Sequence, residues 1–123
     1  ALLYPKTAAS VSEGEIREIL QLCQLDKFDS RLDEMADWSR ILSLGEQQRL
    51  AFARILLVKP QWIFMDEASS ALDEPMEKYL YELLQARLPK SSIISIGHRS
   101  TLLAQHERQL RLLGKGQWEL SAI

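Results

Sequence analysis

The sequence has 123 residues, 46% apolar and 26% charged, with a formal net charge of −2 at pH 7. That length suits one small domain or a piece of a larger one, and the balance is that of a globular protein. The slight negative charge gives no case for a nucleic-acid surface, and a single cysteine, Cys23, excludes a disulfide framework and a cysteine-based zinc site.

Cys23 lies between Leu20, Leu22 and Leu25, which predicts a small buried apolar side chain in a reducing compartment. No run approaches the ~20 apolar residues of a membrane span. The nearest, Leu50 to Val58, is interrupted by Arg54. Ala1 to Pro5 lacks the charge and length of a secretory leader, and a first residue other than Met is consistent with excision from a longer chain or equally with removal of an initiating Met.

In chain order, Ser12 with Glu15 makes a capping box, and Ile16, Ile19, Leu20 and Cys23 follow at helical spacing, predicting a helix over 13–23. Residues 26–42 are charged and irregular, with a short helix expected around Arg31–Met35, so that 1–42 reads as a small helical layer. Ser43 and Glu46 form a second capping box. Leu50, Ala51, Ala53, Arg54, Leu57 and Val58 then predict a long helix that Pro60 ends.

Trp62-Ile63-Phe64-Met65 is an apolar run closed by Asp66-Glu67, the pattern of a strand buried on both faces of a parallel sheet. Pro75 opens an amphipathic helix whose inner face is expected to carry Met76, Tyr79, Leu80, Leu83, Leu84 and Leu88. Ser92–Ile96 reads as a second buried strand, followed by Gly97-His98 and a short helix over Ser100–His106. Gln109–Leu113, the turn Gly114-Lys115-Gly116 and Gln117–Ser121 predict a hairpin. Helix, strand, helix, strand describes a right-handed crossover unit and places the chain in the α/β class.

Four segments carry candidate chemistry. Asp66 and Glu67 end an apolar strand, where adjacent carboxylates are costly unless they face a cation or a polar site. One can hold a hydrated Mg²⁺; the other, on the opposite face by strand alternation, can orient and deprotonate a water. The plainer alternative is a polar strand exit. Leu42-Ser43-Leu44-Gly45-Glu46-Gln47-Gln48-Arg49 puts a serine and a glycine at a helix N-terminus, as anion binding requires, although an ordinary N-cap has the same residues. His98 follows a buried strand directly, whereas His106 lies among charged neighbours and reads as a surface residue. Ser69-Ser70-Ala71-Leu72-Asp73 is a polar turn, or simply the cap of the next helix.

Taken together these segments resemble the ATP-binding-cassette family. Leu42–Arg49 is similar to its signature, Trp62–Glu67 to its Walker B strand, Ser70-Ala71-Leu72-Asp73 to its D-loop, and His98 to its switch histidine, all in the family's order. The resemblance spans essentially the whole chain. Ala1-Leu2-Leu3-Tyr4-Pro5 is similar to the segment after the family's glutamine loop. Asp37-Trp38 and Trp118-Glu119-Leu120 resemble the branch of fused permease–ATPases similar to peroxisomal fatty-acyl-CoA transporters and bacterial cobalamin, bleomycin or antimicrobial-peptide transporters.

The resemblance implies a partial P-loop NTPase core: a helical subdomain over 1–42, and over 43–123 the C-terminal half of the catalytic core with a terminal hairpin. It implies that Glu67 is the general base or the residue that positions the water, that Asp66 binds Mg²⁺ through water and that His98 contacts the γ-phosphate. Ser43, Leu44, Gly45 and Glu46 would serve the ATP of a second subunit in a head-to-tail dimer, with Ser70, Ala71, Leu72 and Asp73 at the seam. It further implies a transmembrane permease partner and a place at the cytoplasmic face of a membrane, such as the bacterial inner membrane. Leu44 stands where the family commonly has glycine, which puts the backbone angles at that amide in question. None of the five glycines forms G-x-x-x-x-G-K-[ST], so this stretch is expected neither to bind ATP tightly nor to hydrolyse it alone. Two other readings are the C-terminal lobe of a DNA-repair or chromosome-maintenance ATPase and a non-catalytic interaction module. Intact Asp66, Glu67 and His98 argue against the latter, and the short helical layer in place of a coiled coil argues against the former.

Overall fold

A computed structural model describes residues 12–25 and 42–123. The expected helix at Arg31–Met35, the segment Ala1–Pro5 and Asp37-Trp38 lie outside the described residues. The first helix, α1, runs Glu13–Leu22 behind an N-cap at Ser12, whose hydroxyl accepts the amide of Glu15. The Glu15 carboxylate reaches Lys59, 3.1 Å away. At the other end of α1, Arg49 donates to the Gln24 carbonyl at 2.8 Å and Tyr79 to the Leu22 carbonyl at 2.6 Å. Two neighbouring helices therefore satisfy carbonyls that a helix terminus leaves open.

The second helix, α2, is Leu44–Val58, and at its start the reciprocal capping box is complete: Glu46 N–H donates to Ser43 Oγ and Ser43 N–H to Glu46 Oε1. It ends at Lys59 in a left-handed conformation. Its buried face is Leu50, Phe52, Ala53, Leu56 and Leu57. Ala51, Arg54 and Val58, expected on the inner stripe, are exposed, because Phe52 and Leu56 take the buried side, with Phe52 against Tyr81.

Strand β1 (Trp62–Asp66) pairs in parallel with β2 (Ser92–Ile96), with Asp66 opposite Ile96. Helix α3 (Glu74–Arg87) connects them, starting from an Asp73 N-cap with Pro75 in its first turn. The expectation of strands buried on both faces is corrected. Ile63 and Met65 are covered, whereas Phe64 is 73% exposed, and Trp62, Ile94 and Ile96 are open on the same side. The described helices supply only one covering layer, so the uncovered face retains the apolar residues of a two-sided strand.

The inner face of α3 is also rotated from expectation, carrying Glu77, Leu80, Tyr81 and Leu84, with Tyr79 displaced to the edge. Tyr81 meets Phe52 edge-to-face with ring centroids 5.7 Å apart, and its hydroxyl is 2.8 Å from Ser95 Oγ. Burial pushes the Tyr81 phenol up, the Ser95 bond opposes this, and Glu77 adds to the rise. A 3₁₀ turn, Ser100–Gln105, follows β2. The chain then forms the antiparallel hairpin β3 (Arg108–Gly114) and β4 (Gln117–Ala122), bulged between Leu112 and Gly114. Gly114, Lys115 and Gly116 all have positive φ, so two glycines relieve a turn that side chains disfavour.

His106 is not the free surface residue its charged neighbours suggested. Its ring stands edge-to-face on Tyr81, Nδ1 lies 2.7 Å from the Leu102 carbonyl and Nε2 2.8 Å from Ser95 Oγ. It fastens the 3₁₀ turn to β2.

Candidate functional site

The parallel pairing of β1 and β2 brings their C-terminal ends to one edge, where open α/β sheets present ligand-binding residues. Asp66 is the last residue of β1 and is exposed; Gly97-His98 follows β2 directly. Glu67 is not a continuation of the strand. Its φ is +54°, a left-handed backbone that costs a non-glycine residue roughly 1–2 kcal/mol. A turn at Glu67, and not strand alternation, therefore separates the two carboxylates.

Three hydrogen bonds hold that turn. Glu67 N–H donates to the Ile96 carbonyl at 2.8 Å, while its own carbonyl accepts from Ser70 N–H and from Gln48 Nε2, both at 3.3 Å. The carboxylate is thereby placed beside His98, with Nε2 3.1 Å from Oε1, within reach of an Nε2–H donor. The imidazole is 93% exposed and the Glu67 side chain 39%. The pair therefore stands open at the sheet edge. Gly97 permits this tight return: a Cβ there would come within 2.3 Å of Leu102 Cδ1.

The start of α2 meets the turn after Glu67. Ser43, Gly45 and Glu46 line a cavity of about 300 Å³ with Ala71, Leu72 and Asp73. A Cβ on Gly45 would touch the Ala71 carbonyl oxygen at 3.4 Å. Leu44 occupies the first helical position, a conformation leucine adopts without strain, and its side chain is exposed. The Ser43 hydroxyl caps Glu46, and the Asp73 carboxylate accepts the Met76 amide at 2.8 Å. Asp66, Glu67 and His98 do not line this cavity, so the structure holds two adjoining groups, not one.

Glu77 and Arg99 were not singled out in the sequence, and Gln48 stood there only as a member of the Leu42–Arg49 segment, with no role of its own. Besides its bond to Glu67, Gln48 Nε2 donates to Ser70 Oγ at 3.0 Å, and its Oε1 accepts the Ala71 amide at 2.8 Å. Glu77 is 1% exposed, yet its carboxylate accepts from Ser69 Oγ at 2.5 Å, Thr101 Oγ1 at 2.6 Å and Arg99 at 3.5 Å. Arg99 also donates to the Ser70 carbonyl at 2.8 Å. The available signal was periodicity: position 77 shares the face of Leu80, Leu84 and Leu88, where a carboxylate needs partners. Among the described residues no group of three or more His, Cys, Asp or Glu side chains converges as a metal cage.

The structure is thus a partial α/β core that places Asp66 and the Glu67–His98 pair at the C-terminal edge of its parallel strands, beside a capped helix start. The sequence profile of the ABC transporter family matches residues 5–70. An ABC transporter ATP-binding protein of Haemophilus influenzae is 52% identical over 120 residues, covering 98% of this chain and 20% of the relative. The lysosomal cobalamin transporter of Homo sapiens is 39% identical over 126 residues, covering 98% and 20%. The inner membrane ABC transporter ATP-binding protein YddA of Escherichia coli is 38% identical over 89 residues, covering 72% and 16%. This chain belongs to the ABC transporter family and carries part of its ATP-binding region. It spans about a fifth of the length of such relatives. No helix among the described residues is long and apolar enough to cross a membrane.

Proposed function

We propose that this chain is the signature-to-switch half of an ATP-hydrolysing module that powers a membrane transporter. The observation that supports it most is the 3.1 Å approach of His98 Nε2 to Glu67 Oε1 at the C-terminal sheet edge, in a chain of this family. Phosphoryl transfer needs placement and charge neutralisation more than covalent help. Glu67 accepts the proton of a water that attacks the γ-phosphorus as the bond to the bridging oxygen breaks and ADP leaves. The Nε2–H of His98, beside the Glu67 carboxylate, turns to donate to the γ-phosphate. The exposed carboxylate of Asp66 would hold a hydrated Mg²⁺, which when bound would supply neutralisation of phosphate charge.

In this reading residues 1–42 form a helical subdomain and 43–123 the C-terminal half of the catalytic core. Ser43, Leu44, Gly45 and Glu46 serve the ATP of a second such module in a head-to-tail dimer, and Ser70, Ala71, Leu72 and Asp73 form its seam. The mobile partner is a membrane-embedded permease, which places the module at the cytoplasmic face of a membrane, in a bacterium the inner membrane. Likeness to the human relative makes cobalamin, or another bulky polar solute, a cargo to test first.

The test is ATP hydrolysis by the full-length protein. Glu67→Gln is expected to lower kcat by about 10²-fold or more, and His98→Ala comparably, with binding largely kept. Undiminished hydrolysis by Glu67→Gln overturns the assignment. Residues 1–123 alone lack the phosphate loop's lysine, so calorimetry should find no tight ATP binding; a dissociation constant of about a micromolar would contradict this.

A further inference from the structure

Resting on the ATPase reading above, we propose that Gln48 is the positioning residue that couples the start of α2 to the catalytic carboxylate of Glu67. Its amide uses both ends on one turn: Nε2 donates to the Glu67 carbonyl and to Ser70 Oγ, and Oε1 accepts the Ala71 amide. That turn joins the two groups of the site. Its first residue, Glu67, faces His98; Ala71 lies against Gly45 in the cavity at the start of α2.

Glu67 holds an unfavourable backbone conformation, and such conformations persist only where surrounding bonds over-determine them. Two of those bonds, from Ser70 N–H and to Ile96, come from its own turn and the neighbouring strand. The third comes from Gln48, five residues after Ser43, on the helix whose N-terminus serves the opposite nucleotide in the proposed dimer. A ligand that draws the first turn of α2 toward itself therefore pulls on the Glu67 carbonyl through one side chain. Gln48 touches neither Glu67's carboxylate nor His98; it acts through the backbone that aims them.

The experiment uses the full-length protein with Gln48→Leu and Gln48→Glu. The glutamate variant keeps an acceptor for the Ala71 amide and loses the donors to Glu67 and Ser70, so it separates the donor side of Gln48 from its acceptor side. Both variants are expected to lower kcat about tenfold while KM for ATP stays within about twofold. Tm should stay within about 2 °C, and the loss should fall on kcat and not on KM, because Gln48 acts on the turn that aims Glu67 and not on nucleotide binding. Wild-type kcat in Gln48→Glu, or a reduced kcat matched by an equal rise in KM or a clear fall in Tm, overturns the coupling role. Wild-type protein that does not hydrolyse ATP overturns the reading beneath it, whereas active wild type with unaffected variants removes Gln48 alone.

Discussion

Ser69 gives its hydroxyl to the carboxylate of Glu77 across 2.5 Å, joining the exit of β1 to the first turns of α3 where neither side chain is exposed. Thr101 and Arg99, from the segment after His98, close on the same carboxylate. Both loops that flank the Glu67–His98 pair are thus fastened to one buried acid.

Removing that acid strands its donors. Glu77→Ala is expected to destabilise the protein by about 3 kcal/mol, since a buried charge network broken from one side leaves unpaired groups behind. Glu77→Gln, which keeps the shape and one acceptor, should cost about half as much. Urea unfolding of both variants checks the order, and an alanine variant as stable as wild type would show the network to be energetically neutral.

Cys23 is buried beneath Leu20 and Leu25, and burial raises its thiol from 9.0 to about 12, against a smaller opposing pull from Arg49. Thiolate is the reactive form, so native protein should resist thiol-labelling reagents at neutral pH and react only on unfolding. The folded-state value is raised, so the contribution to stability is complete below about pH 9 and is lost as pH climbs from there toward about 12. Comparing wild type with Cys23→Ser across that range isolates the term: the wild type should lose stability more steeply.

Gly97→Ala places a methyl group against Leu102 Cδ1. Leu102 is a flexible side chain at a half-buried position, so it is expected to change rotamer at about 1 kcal/mol. Gly97→Val leaves less room and should cost more, with a matching loss of ATPase activity as the His98 turn shifts. Thermal unfolding and kcat of the two variants give the ranking.

Trp62, Phe64, Ile94 and Ile96 form an open apolar face on the parallel pair. A polypeptide of residues 1–123 should therefore self-associate, because contiguous apolar surface of this kind is unusual on a free domain. Phe64→Lys with Ile96→Lys should shift it toward monomer in light scattering. A clean monomer of the unsubstituted polypeptide at high concentration would refute the expectation.

Much of the fold was legible in local signals. Capping residues at Ser43 and Asp73, and the glycines around Lys115, act within a few residues of chain, so pattern suffices to place the elements they bound. Helix faces were less legible. Leu, Val and Ala on several sides of α2 and α3 leave the buried side undecided until packing chooses it, as Phe52 and Glu77 show.

The order of Ser43, Asp66, Glu67 and His98 along the chain is a property of sequence, and it was enough to mark the segments and their family. What sequence could not supply was orientation. The left-handed turn at Glu67, its approach to His98 and the hold exerted by Gln48 all depend on bonds between residues distant in the chain. Such bonds form only once α2, β1 and β2 are packed together. Local chemistry named the groups, and tertiary packing aimed them.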